Sequence, residues 1–285
     1  MMKFRNLISF ALIIGLVASF TACTNSGDGK EKVSILYPNW VEAVAYSYLS
    51  KVVLEEKGYN VELTNLEPGL IYGELSKENS KGDVFLDAWL PNTHADYWAD
   101  YGDKLVKLGE SFSEGTTGLV VPSYVTINSI EELNANKDKF GSEIIGIGSG
   151  AGIHRDTERA IEAYGLELDQ ITSSGPAMVA SLQRAERNED WIVITGWKPH
   201  FKWANHDLKY LEDPKGIYPM DVCAILSRRG FEEDMPKVAD FFKKFNLTED
   251  ELYGLMASID ENGNERGARI WYEANKEMVD GWYEN

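Results

Sequence analysis

Three tryptophans stand out for where they fall. Trp40 follows the apolar run Ser34-Ile35-Leu36-Tyr37, Trp89 follows Val84-Phe85-Leu86-Asp87-Ala88, and Trp197 follows Trp191-Ile192-Val193-Ile194-Thr195-Gly196. Strand ends are where α/β folds bind ligands. Indole faces gathered there attract a cation through the ring quadrupole, and best of all a methylated ammonium, which cannot hydrogen-bond. Any one tryptophan taken alone is more often a large core residue. Two other features carry the opposite chemistry. His94, five residues beyond Trp89, can reach the same cleft and donate to a carboxylate. The run Gly146-Ile147-Gly148-Ser149-Gly150-Ala151-Gly152 lets backbone approach a ligand and aims the amides of Gly152 and Ile153, at a helix start, toward an anion. The same glycines would equally serve a tight strand-to-helix turn.

Signatures of covalent chemistry are largely missing. The glycine run lacks the third glycine of a dinucleotide fingerprint and the lysine of a P-loop. His94, His154, His200 and His206 form no HExxH arrangement or metal-ligand spacing, so neither a metal nor a cofactor is expected. Asp87 shares a face with Trp89 but lies deeper, and is assigned a structural role. Trp98, Trp191, Trp203, Trp271 and Trp282 are assigned to packing, the last two on one face of a terminal helix.

Strand-like runs alternating with amphipathic stretches predict an α/β fold. Val33 to Tyr37 reads as a first strand, with Asn39 and Glu42 forming a capping box for the helical stripe Val41, Val44, Ala45, Tyr48, Leu49 and Val52. Val61 to Leu66 and Asp83 to Leu86 read as strands, and Gly118 to Pro122 as a segment crossing between two lobes. Ser129 with Glu132 caps a short helix. Glu143 to Ile147 is a strand, Gly152 to Tyr164 a helix stopped by Gly165, and Pro176 to Arg187 a further helix, before a strand at Trp191 to Thr195. Val222 to Leu226 is a returning strand. Helices then cover Phe231 to Phe245, a segment capped by Thr248 and Glu251, and Arg266 to Trp282. The expected division is 33–117 for the first part of lobe 1, 118–215 for lobe 2, and 216–285 for the return to lobe 1.

The amino terminus reads as an export signal. Lys3 and Arg5 precede an apolar run from Leu7 to Phe20, too short for a comfortable membrane span, and then Thr21-Ala22-Cys23. That pattern resembles a bacterial lipoprotein signal over 1–22, with lipid on Cys23 and a flexible tether over 23–32. An ordinary cleaved signal peptide is the alternative. Only Cys223 remains besides the anchor cysteine, so no disulfide framework forms, and Cys223 reads as a small buried hydrophobe. The net charge of −18 disfavours nucleic acid and anionic membrane faces.

Taken together, Asp87-Ala88-Trp89-Leu90-Pro91-Asn92-Thr93-His94, Thr195-Gly196-Trp197-Lys198-Pro199-His200, Leu208-Lys209-Tyr210-Leu211-Glu212-Asp213-Pro214-Lys215 and Gly118-Leu119-Val120-Val121-Pro122 closely resemble the glycine betaine binding proteins of ABC importers. The resemblance covers nearly the whole chain after Cys23. It implies a two-lobed periplasmic-binding-protein-like fold with the ligand cleft between lobes, no enzymatic activity, and Trp40, Trp89 and Trp197 as an aromatic cage for a trimethylammonium. It also implies His94 and the Gly152 and Ile153 amides as carboxylate donors. Trp40, Trp89 and His94 would sit in the first lobe, and Trp197, Gly152 and Ile153 in the second. The implied partners are a betaine, an importer's permease and ATPase, and a bacterial membrane reached through the lipid anchor, with the protein itself extracytoplasmic and monomeric. A choline or carnitine receptor, or an enzyme on the same scaffold using His94 as a base, are the rival readings.

Overall fold

The computed structural model describes residues 30–284; the signal, Cys23 and most of the tether lie outside the described residues. Short β-branched and aromatic runs lay down nine strands in this span: β1 (Lys32–Tyr37), β2 (Asn60–Asn65), β3 (Val84–Leu90), β4 (Leu105–Pro122), β5 (Glu143–Ile145), β6 (Asp169–Ile171), β7 (Ile194–Lys198), β8 (Leu208–Tyr210) and β9 (Asp221–Arg228). They join in one mixed sheet of order β2-β1-β3-β9-β4-β7-β5-β6, with β8 also on β4. The parallel pairs β1–β2 and β1–β3 lie on one side and β5–β6 and β5–β7 on the other. Antiparallel β9 and β4 stand between them.

Strand β4 is the shared element. Leu105 to Gly115 pair with β9, Thr116 to Val120 pair with β7, and Val120 to Pro122 pair with β8. The expected crossing segment is thus the end of an 18-residue strand that begins thirteen residues earlier. Every residue of β3 is buried, as a central strand covered on both faces should be.

The site is positioned by the starts of two helices. Helix α1 (Val41–Glu56) buries Ala45, Tyr46, Leu49, Val52 and Val53 at helical spacing. Its cap differs from the expected capping box: the N-cap residue is Trp40, in extended conformation without a side-chain cap, and Glu42 is turned inward and fully buried. A carboxylate in the first turn is also favoured by the helix dipole, so sequence spacing alone does not separate the two placements. Helices α2 (Pro68–Leu75) and α3 (Ala95–Tyr101) flank β3, and α4 (Gly152–Tyr164) begins at the glycine run and stops at Gly165 with φ 59°. Helix α5 (Gly175–Asn188) has its proline in the first turn, as expected, and α6 (Lys202–Asn205) is a single turn after β7.

The carboxyl-terminal region divides more finely than the sequence suggests. The expected helix Phe231 to Phe245 is broken into α7 (Phe231–Asp234) and α8 (Pro236–Lys244), because Pro236 forces Met235 out of helical conformation. Helix α9 (Glu249–Asn262) carries the Thr248–Glu251 capping box. Arg266 to Trp282 is likewise two helices, α10 (Asn264–Ala274) and α11 (Lys276–Glu284), so Trp271 and Trp282 do not share one. Both still pack: Trp271 is buried in the main core and Trp282 lies 5.0 Å from the Phe245 ring. The Ser129–Glu132 capping box is present, on a 3-10 turn rather than an α-helix.

Candidate functional site

Trp89 and Trp197 lie within strands rather than after them. Trp89 is opposite Cys223 on β9, and Trp197 is opposite Thr117 on β4, so both backbones are held in the hydrogen-bonded ladder. Trp40 stands at the junction of β1 and α1. The three indoles, with His94, Gly152 and Ile153, line one cavity. Glu42, Thr93, Thr117, Ile147 and Ala151 complete the lining. The six residues singled out from sequence are therefore brought together. Glu42, Thr93 and Thr117 went unremarked as lining; for Glu42 the available signal was its place two residues after Trp40.

The loop from Trp89 to His94 is fixed by one carboxylate. Asp221, at the start of β9, accepts the Asn92 amide at 2.6 Å and the Thr93 amide at 2.9 Å, and the Asn92 side chain donates to it at 3.1 Å. His94 is fully buried and packed among Phe85, Tyr72 and Tyr97, with the Trp40 ring 5.9 Å away. Its Nδ1 accepts the Trp89 amide at 3.1 Å and lies 3.3 Å from the Tyr72 hydroxyl, while Nε2 has no protein partner. Burial, with the Arg155 charge adding to it, pushes the imidazole down to about 3. Near neutral pH the ring is uncharged, and accepting the amide at Nδ1 leaves the hydrogen on Nε2.

Gly152 is the first residue of α4, so its amide and that of Ile153 have no acceptor within the helix. Glycine is needed at 152 for a close approach: a Cβ there would meet the Thr93 carbonyl oxygen at 2.0 Å. Two more contacts bind this region to α3. The Tyr97 hydroxyl donates to the Gly150 carbonyl at 2.8 Å, and Arg155 pairs with Asp96 at 3.0 Å while lying over the Tyr97 ring.

Trp197 is held from behind. Trp203 Nε1 donates to its carbonyl at 2.8 Å and Lys202 Nζ at 3.1 Å, with that nitrogen 4.0 Å from the Trp197 ring centroid. His200 packs edge-on at 4.8 Å. Trp203 thus packs, as expected, behind Trp197. Cys223 is fully buried, also as expected. Among the described residues no group of three or more His, Cys, Asp or Glu is arranged to hold a metal ion.

A mixed sheet flanked by helices, with an aromatic cavity walled by β3, β7 and the starts of α1 and α4, is the architecture of a two-lobed substrate-binding protein. Residues 31–274 match the family described as the substrate binding domain of the ABC-type glycine betaine transport system, and the chain belongs to that family. Its members are extracytoplasmic transport proteins rather than enzymes. The chain is 35% identical over 157 residues to the glycine betaine/carnitine transport binding protein GbuC of Listeria monocytogenes, an alignment spanning 52% of each. It therefore spans about half the length of that curated relative. Among solved structures it resembles the glycine/betaine/L-proline-binding protein ProX of Borrelia burgdorferi (35% identity, TM-score 0.86, 90% of this chain and 97% of that one). It also resembles lactococcal OpuAC in its closed form with glycine betaine (32% identity, TM-score 0.83, 90% and 100%).

Proposed function

We propose that this protein captures glycine betaine, or a close betaine, and delivers it to an ABC importer's permease and ATPase for osmoprotection. The observation that carries the reading is one cavity with indoles on its walls and unpartnered hydrogen-bond donors beside them. Trp40, Trp89 and Trp197 act as the trimethylammonium cage; His94 Nε2 and the Gly152 and Ile153 amides receive the carboxylate. Each desolvated cation–aromatic contact contributes about 2 kcal/mol and each charge-assisted hydrogen bond roughly 1.5–3 kcal/mol. Against these stand desolvation and the ordering of two lobes, which leaves a net affinity on the order of micromolar.

The lobes are taken as 33–117 with 216–285, and 118–215. Trp40, Trp89 and His94 then belong to one and Trp197, Gly152 and Ile153 to the other, so that closure assembles the site and signals loading to the importer. A choline receptor would leave the anion donors idle. As a general base His94 is poorly suited, since burial keeps it from accepting a proton near neutrality. A thermal-shift screen of glycine betaine, proline betaine, carnitine, choline and ectoine tests the reading. Stabilisation by betaines above choline supports it; stabilisation by choline alone, or by none, overturns it.

We further propose that the protein is anchored by lipid on Cys23 outside a bacterial membrane, as a monomer. No described helix is long and apolar enough to cross a membrane. Cys23→Ser should move the protein from the membrane fraction to the soluble one, and unchanged membrane retention would overturn the anchor.

A further inference from the structure

Three ionisable side chains stand at and behind the aromatic wall without a role in holding either end of a betaine. Glu42, in the first turn of α1, lines the cavity, is fully buried, and has no hydrogen-bond partner on either carboxylate oxygen. Asp87, on β3 beside Trp89, is 1% exposed and likewise unpartnered on both oxygens. Lys202, opening α6, is fully buried with its Nζ 4.0 Å from the Trp197 ring centroid.

Other polar groups face them without neutralising them. The Trp197 indole N–H is turned toward Glu42 but closes no hydrogen bond of good geometry, and the Cys223 thiol stands against Asp87 in the same way. Tyr46, one turn along α1, has an unpartnered hydroxyl, and the buried His200 adjoins Lys202. Two ionised acids and one ionised base in a dry enclosure would be expensive. Burial accordingly moves each toward its uncharged form: Glu42 is pushed well up, with Asp87 adding to the effect, Asp87 is pushed up to about 7, and Lys202 is pushed well down.

A quaternary ammonium has no proton to lose, so it brings a positive charge into this enclosure that titration cannot remove. The protein's own groups must adjust instead. A cation beside Glu42 favours its carboxylate and so sends a proton to solvent, while Lys202, already moved toward the free amine by burial, is held in that form. We propose that loading the cage with a quaternary ammonium expels about one proton from the Glu42–Asp87–Lys202 cluster, making capture proton-linked. This rests on the cation reading of the cage. At the anion end His94 offers an N–H it already carries and takes up no proton. Asp156, in α4 close to Gly152 and with its carboxyl pushed up to about 7 mainly by burial, is favoured in its protonated form by an incoming carboxylate, so the release is read in an Asp156→Asn background as well.

Calorimetry of glycine betaine binding to the purified protein at pH 7, in buffers of different ionisation heat, reads the linkage directly. The expected result is about one proton released per ligand, with affinity falling as pH is lowered, by up to about tenfold per pH unit. Glu42→Gln should cut the release and flatten the pH profile, and Glu42→Met, of similar volume without a polar end, serves as a second variant should the first fail to fold. Binding with heats independent of buffer overturns the inference and leaves the betaine reading standing. Full release retained in either folded variant also overturns it, by placing the source elsewhere. Failure of glycine betaine to bind at all overturns both.

Discussion

Trp89 and His94 are bonded to each other twice: the Trp89 amide donates to His94 Nδ1 at 3.1 Å, and the His94 amide donates to the Trp89 carbonyl at 2.8 Å. A cavity wall suited to a cation and a donor suited to an anion are therefore set by one short loop. Their separation is a local property of that loop, and does not depend on how the lobes meet.

His94→Ala should weaken glycine betaine binding by about tenfold or more, the worth of a hydrogen bond to a charged group, and weaken choline binding less. Measuring both ligands separates the lost donor from any disturbance of Trp89, which would fall on the two alike. Equal losses would remove His94 from the carboxylate.

Trp197→Ala should weaken glycine betaine binding by at least about tenfold, because roughly 2 kcal/mol of cation–aromatic attraction goes with the ring. Calorimetry gives the affinity and far-UV circular dichroism checks the fold. An unchanged dissociation constant would sink the cage assignment.

Gly152→Ala places a methyl 2.0 Å from the Thr93 carbonyl oxygen, a backbone atom of the adjoining loop that cannot turn aside. The expected outcome is a folded protein with betaine affinity reduced tenfold or more, on the order of one lost charge-assisted hydrogen bond. Retained affinity would mean that Gly152 and Thr93 separate in the liganded state.

Asp87 makes stability depend on pH. Its carboxyl is held up at about 7 against an ordinary value of 3.8. Between the two the unfolded chain releases a proton that the folded chain keeps, so the contribution is full below about 3.8 and is lost as pH rises through about 7. Melts of the ligand-free protein and Asp87→Asn from pH 4 to 8 should show the variant gaining on the parent with rising pH. Parallel curves would mean that Asp87 titrates alike in both states.

Much of this was legible from residue order because long apolar runs and helix caps are local signals. β1, β9, α4, α5 and the Thr248–Glu251 cap follow from them. What escaped is set by partners distant in sequence. Trp89 and Trp197 look like residues beyond a strand, yet Cys223 and Thr117 keep them in it. The three-residue strands β6 and β8 are too short to show a period and exist through β5 and β4. Glu42 has the spacing of a capping residue, and only the walls of the cavity draw it inward. The candidate site was the more legible part, since its residues are rare types in distinctive company.

The two strand-borne tryptophans each occupy a ladder rung, Trp89 against β9 and Trp197 against β4, so substitution nearby does little to move either one within its own lobe. Trp40 alone stands off the ladder, on a helix cap, and it is also the least buried of the three. On the proposed cage reading, substrate range in this scaffold therefore has one inexpensive point of adjustment. A lineage that drifts toward bulkier or slimmer cations would be expected to write that history at position 40, long before it altered positions 89 or 197.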